Sequence, residues 1–229
     1  MKMEYVISSW DIPSLPIVGS NARFPVRRIF CVGRNYVEHQ KEMGGDGREQ
    51  PFFFTKSSHD LVPEGGAVRF PPMTANYHWE TEMVAVVGTG GYKIPAAKAN
   101  EHIWGYAVGL DMTRRDLQRA MGEEKKPWEI GKSFDHSAPI GPIHRAAQIG
   151  HYAAGAIVLK VNGAIKQNAN LNQMIWNVAE QVSRLSQAFE LMPGDIIFSG
   201  TPENVGPVVP GDVMEGYIAG LPTLNVKVV

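Results

Sequence analysis

The chain has 229 residues, 44% hydrophobic and 20% charged, which is enough to bury a real core in one domain or a compact pair. A formal net charge of −1 provides no global basic field, so nucleic acid and anionic membrane are not expected partners. The lone cysteine, Cys31, excludes an intrachain disulfide. There is no continuous apolar leader and no apolar run of about 18 residues, so the expectation is a cytoplasmic protein without signal peptide or membrane span.

In chain order, residues 1–25 read as an ordered arm, with a short alternating strand near Glu4 to Ser8 followed by turn formers. Residues 26–229 read as a single domain. "VRRIFCVG" is a strand ending at glycine, and "NYVEHQKEM" (35–43) a short helix stopped by "GGDG". "PFFFTK" and "AVRFPP" are short strands, and a longer strand runs from Glu80 to Gly88. "AAKANEHI" is a brief helix, "WGYAVGLDM" a strand and "TRRDLQRAMGEE" a helix. Asn162-Gly163 between strand-like runs predicts a hairpin. Residues 171–191 form the longest predicted helix, and strands follow at "MPGDIIFSGTP", "VPGDVMEGYI" and "TLNVKVV". Many short strands without βαβ alternation predict a strand-dominated α+β domain.

The stretch "YHWETEMVAVVG" (77–88) raises the first chemical question. Side chains alternate along a strand, so Glu80 and Glu82 share a face with Cα atoms roughly 7 Å apart. Two carboxylates converging on a partly buried site repel each other, and a hard divalent cation relieves this. Asp111, closing the apolar run "GYAVGLD", is the candidate third oxygen ligand. An edge strand with its acids in solvent carries the same E-x-E spacing. His78 is either a ligand, a neighbour of the ligands or solvated.

A helix over 35–43 would place His39 and Glu42 at i and i+3, within reach of each other. A carboxylate that orients an imidazole makes a water-activating pair, although a solvated helix face also carries such spacing. Gly44, Gly45 and Gly47 would let the helix move as a lid, or simply form a flexible loop. "GTGG" (88–91) opens no helix and is not a dinucleotide fingerprint. Cys31 reads as a core thiol, and Ser199 lacks the nucleophile-elbow pattern.

"CVGRNYVEHQKEM", "HWETEMVAVVG", "GYAVGLDMTRRDLQ", "PWEIGKSFDHSAPIGP", "MIWNV" and "PGDIIFSGTPENVGPV" occur in the order found in the fumarylacetoacetate hydrolase superfamily, which the chain resembles from about residue 27 onward. Within it the chain looks like the short acylpyruvase type, most like the bacterial fumarylpyruvate hydrolases. The resemblance implies a mixed β-sandwich roll, usually a homodimer, with Mg²⁺ or Mn²⁺ on Glu80, Glu82 and Asp111. It assigns catalytic roles to His39, Glu42 and Lys132, and substrate contacts to Arg34, Arg115, Gln118 and Thr201. Gly131 stands where the family pattern has alanine, a change expected to affect backbone freedom more than chemistry.

The implied reaction is hydrolysis of a C–C bond in an acylpyruvate, giving fumarate and pyruvate from fumarylpyruvate. His39, oriented by Glu42, would deprotonate the attacking water, and Lys132 would place positive charge beside the departing pyruvate enolate. Two alternatives stand beside it: oxaloacetate decarboxylation or keto–enol isomerisation of a 2-oxo acid on the same site, and a catalytically silent metal-binding relative. The expected partner is a small 2-oxo or diketo acid.

Overall fold

The computed structural model describes residues 5–38, 48–63 and 66–229. Among these, the largest sheet is eight-stranded and mixed. Its main path runs Phe53–Lys56, Arg28–Val32, Asp195–Phe198, Thr81–Val87, Ile103–Leu110, Ala138–Ile140, Leu61–Pro63, with His144–Arg145 also pairing on Ile103–Leu110. Asp195–Phe198 runs parallel to Arg28–Val32, while Thr81–Val87 is antiparallel to both of its neighbours. A five-stranded sheet runs Ala164–Asn170, Ala156–Val161, Val213–Ile218, Leu224–Val228, Ala67–Val68. A small sheet joins Thr113–Arg114, Tyr77–Trp79 and Gly206–Pro207. The result is the strand-dominated α+β roll expected from the sequence.

The large sheet is buried on both faces, which explains the unbroken burial of Thr81–Val87. Met83, Ala85 and Val87 point into the main core between the sheets, with Leu159, Met214 and Leu224. Val84 and Val86 point the other way, into a second core with Ile29, Cys31, Ile196 and Phe198. Strand alternation puts Glu82 on the side of this second core. Cys31 is a fully buried member of it, and burial raises its thiol well above the ordinary value, consistent with a packing role.

Three local expectations differ from the structure. No strand forms over residues 5–8; instead Ser14–Ile17 and Ser20–Pro25 make a hairpin whose Leu15, Ile17 and Phe24 complete the second core. The long helix begins later than its apolar periodicity suggested, spanning Val178–Ala188. Asn177 accepts from the Glu180 N–H while the Glu180 carboxylate accepts from the Asn177 N–H, a reciprocal cap that defines the helix start. The strand into the acidic site is also interrupted: Tyr77–Trp79 and Thr81–Val87 pair with different partners, and Glu80 lies between them. The Asn162-Gly163 hairpin forms as expected, linking Ala156–Val161 to Ala164–Asn170. No helix among the described residues is long and apolar enough to cross a membrane.

Candidate active site

Ligand oxygens of Glu80, Glu82 and Asp111 lie within 4.8 Å of one another, and all three residues are buried. The geometry follows from sheet register: Glu82 sits opposite Gly109, and the Asp111 N–H donates to the Glu80 carbonyl at 2.9 Å. An antiparallel pair thus carries one acid on a strand, Glu82, a second just before that strand, Glu80, and a third just past the end of its neighbour, Asp111. Three carboxylates, hard and anionic, are a donor set suited to Mg²⁺ or Mn²⁺.

Cations answer this charge within the protein. The Lys132 ammonium lies 2.8 Å from Glu80 Oε2, 2.7 Å from Asp111 Oδ2 and 2.8 Å from Thr113 Oγ. Lys56 Nζ lies 2.8 Å from Asp111 Oδ1 and also donates to the carbonyls of Met112 and Lys132. The Arg115 guanidinium pairs with Glu80 and donates to Gln118 Oε1. Burial pulls Lys132 down, but Asp111 and Glu80 more than reverse this, so its ammonium is held above the ordinary value.

Glu82 is the strained acid of the three. Burial raises it well above the usual carboxylate range, and the charges of Asp111 and Glu80 push it further. The Gly200 N–H, donating to Glu82 Oε2 at 2.6 Å, offsets part of this. Gly200 has φ +98°, and a Cβ there would lie 2.6 Å from the Asn35 Cβ, so glycine is needed to aim this amide. A divalent cation held by these acids would take the place of the Glu82 proton, so the two would compete. The expected result is a Mn²⁺-induced rise in melting temperature that grows between pH 5 and pH 8. Thermal scans with Mn²⁺ or chelator would reject this if the rise were constant or shrank.

One cleft collects most of the residues assigned by resemblance: Glu80, Glu82, Lys132, Arg34, Arg115, Gln118 and Thr201 line it together, with Asp111 beneath. His39 and Glu42, like Gly44, Gly45 and Gly47, lie outside the described residues. His78 does not join the acids. Its Nε2 is 2.6 Å from Asn76 Oδ1, and burial, aided by the Arg115 charge, pulls it down to about 4, so the ring is neutral at pH 7.

Gly131 matters through space. A Cβ there would lie 2.8 Å from the Gln118 backbone N and 2.9 Å from its Cα. Glycine therefore lets the turn Glu129–Lys132 press against the helix Arg115–Glu123, setting Lys132 against Gln118.

Four supporting residues escaped the sequence reading. Lys56 closes the apolar run "FFFTK" as Asp111 closes its own, so the same signal was available. Thr113 gives Lys132 its neutral partner. Asn35 donates to the carbonyls of Trp176 and Ser199 at 2.8 and 2.7 Å, joining three separated motifs. Gln167 accepts from the Thr81 N–H at 3.1 Å and donates to Thr201 Oγ at 3.0 Å. Because Thr201 Oγ accepts there, its own proton is free to donate into the cleft. No local pattern marks Asn35 or Gln167.

Comparison with known proteins bears on this site. The model of the fumarylacetoacetate (FAA) hydrolase C-terminal family matches residues 28–229. A fumarylpyruvate hydrolase from Ralstonia sp is 43% identical over 180 residues, 79% of this chain and 93% of that protein. The mitochondrial oxaloacetate tautomerase FAHD1 of Homo sapiens is 37% identical over 202 residues, covering 88% of this chain and 91% of the relative. The crystal structure of fumarylpyruvate hydrolase from Pseudomonas aeruginosa, in complex with Mn²⁺ and pyruvate, superposes with a TM-score of 0.96 at 53% identity over 99% of each chain. The chain belongs to the fumarylacetoacetate hydrolase family.

Proposed function

We propose that this protein is a metal-dependent hydrolase that cleaves fumarylpyruvate to fumarate and pyruvate. The observation that carries the proposal is the buried trio Glu80, Glu82 and Asp111, with Lys132 bridging Glu80 and Asp111, at the base of a cleft lined by Arg34, Arg115, Gln118 and Thr201. Three carboxylates face three cations, Lys56, Lys132 and Arg115. A divalent cation together with a dianionic substrate leaves that balance unchanged, so the site favours the pair arriving together. Bound to the acids, Mg²⁺ or Mn²⁺ supplies a Lewis acid for the 2-keto oxygen and for the negative charge gathering there.

The chain's own groups do the rest. His39, oriented by Glu42, takes a proton from water as it adds to the distal keto carbon. The bond between that carbon and the methylene then breaks, its electron pair leaves with the pyruvate half as an enolate, and the methylene carbon takes up the proton held by His39 to give pyruvate. Lys132, kept charged by its acid partners, stabilises this enolate. The Thr201 hydroxyl donates a hydrogen bond to a carboxylate oxygen, while Arg34 and Arg115 add guanidinium charge.

With Mg²⁺ or Mn²⁺ the protein should abolish the enol absorbance of fumarylpyruvate and release pyruvate in equal amount, and a chelator should stop both. Unchanged absorbance would reject hydrolysis, and loss of oxaloacetate enol alone would move the activity to tautomerisation. His39→Ala should slow hydrolysis by roughly 10²–10⁴-fold with Mn²⁺ binding retained. Undiminished hydrolysis in that variant would remove His39 from the mechanism. The proposal includes a cytoplasmic homodimer. Exposed Ile165, Val213 and Tyr217 on the five-stranded sheet offer apolar surface for a second copy, which sedimentation would detect.

A further inference from the structure

The metal-proximal cleft is narrow, about 20 Å³, and an outer hollow of about 260 Å³ adjoins it. Arg34, Gln118 and Trp128 line both, so the two lie side by side. The outer hollow is further lined by Arg119, Gly122 and Glu123. This arrangement follows from the helix Arg115–Glu123: Arg115, Gln118, Arg119 and Gly122 fall at i, i+3, i+4 and i+7, along one face. The inner end of that face carries Arg115, paired to the ligand Glu80, and the outer end carries Arg119, an exposed arginine.

Distance and charge both suit a second anionic group there. Four helical residues rise about 6 Å, the separation of Arg115 from Arg119 along the axis. In an extended acylpyruvate bearing a fumaryl group, the terminal carboxylate lies five C–C bonds beyond the 2-keto carbon, roughly 6 Å at ordinary chain geometry. Arg34 reaches the same hollow with its guanidinium 5.9 Å from the Trp128 ring centroid. Its Nε is buried without a hydrogen-bond partner among the described residues, and its backbone holds φ +52°, a left-handed conformation uncommon outside glycine. Against these two guanidiniums, Glu123 is the one carboxylate among the described residues lining the outer hollow.

We propose that Arg119, with Arg34, forms a subsite for the terminal carboxylate of the acyl half, so that the enzyme selects dicarboxylic acylpyruvates over those with an uncharged acyl group. The subsite rests on the hydrolase function proposed above and names the part of the substrate that the metal-proximal groups do not reach. Arg119 is a specificity-determining residue here, remote from the bond that breaks.

The test is the ratio of kcat/KM for fumarylpyruvate to that for acetylpyruvate, with saturating Mn²⁺. In the wild type this ratio should exceed one, and Arg119→Gln should lower it about tenfold, chiefly through the KM for fumarylpyruvate. Lys126→Gln makes the same change of net charge at an exposed lysine paired with Glu124, and should leave the ratio in place. An unchanged ratio in Arg119→Gln, or an equal fall in Lys126→Gln, overturns the subsite. Failure of the wild type to cleave either acylpyruvate would instead overturn the hydrolase proposal, so the two failures are distinguishable.

Discussion

Glu82→Gln is expected to slow hydrolysis by roughly 10³-fold or more while stabilising the metal-free protein at neutral pH. The rate loss follows from removing one of three candidate anionic ligands, since Lewis-acid stabilisation is worth several kcal/mol and each 1.4 kcal/mol is about tenfold. The stability gain follows from the buried carboxyl itself. Its folded pKa is raised above the unfolded value of about 4.3, so the native state holds the extra proton. That contribution is fully present below the unfolded pKa and is lost as pH rises through the folded one. Glutamine does not titrate, and its carbonyl can still accept from the Gly200 N–H. The melting temperature of the variant in chelator should therefore exceed that of wild type by a margin that widens from pH 5 to pH 8. A variant less stable than wild type at pH 8, or one that binds Mn²⁺ equally well by calorimetry, would contradict this account of Glu82.

Lys132→Met should have the opposite effect on stability and a similar one on rate. Deleting an ammonium that contacts Glu80, Asp111 and Thr113 leaves two buried carboxylates short of a partner, at a cost of about 3 kcal/mol in the metal-free state. Hydrolysis should fall roughly 10²–10³-fold, the usual scale for removing a preorganised charge from a developing anion. Mn²⁺ supplies positive charge to the same acids, so it should raise the melting temperature of the variant more than that of wild type. Paired thermal scans and steady-state rates give both quantities. Retention of more than a tenth of the activity would exclude Lys132 from enolate stabilisation, and an equal metal response in both proteins would exclude charge compensation.

These two variants divide along the two sources of information in the molecule. Glu80, Glu82 and Asp111 were legible as a set because strand alternation and a lone acid ending an apolar run are local signals. The Asn162-Gly163 hairpin was legible for the same reason. The helix start was missed because apolar periodicity continued through residues 171–177, whereas the Asn177–Glu180 cap outweighed it. Glu82's raised pKa could not be read from its neighbours in sequence, because it depends on both faces of the sheet being covered.

Residue types and their short-range spacing were thus enough to raise Glu80, Glu82 and Asp111 as candidate ligands beside a solvent-facing alternative and to give the strand-rich class, while motif order gave the family. Folding alone decided which charges meet. Asn35 reaches Trp176 and Ser199 across separations of 141 and 164 residues, and Lys56 reaches Asp111 from another strand. No periodicity encodes contacts of that range. They arise because parallel pairing of Arg28–Val32 with Asp195–Phe198, and antiparallel pairing of Thr81–Val87 with Ile103–Leu110, bring the ends of four strands to one buried point. There the low dielectric makes every unpaired charge costly, which is why each acid ends up facing a cation or a backbone amide.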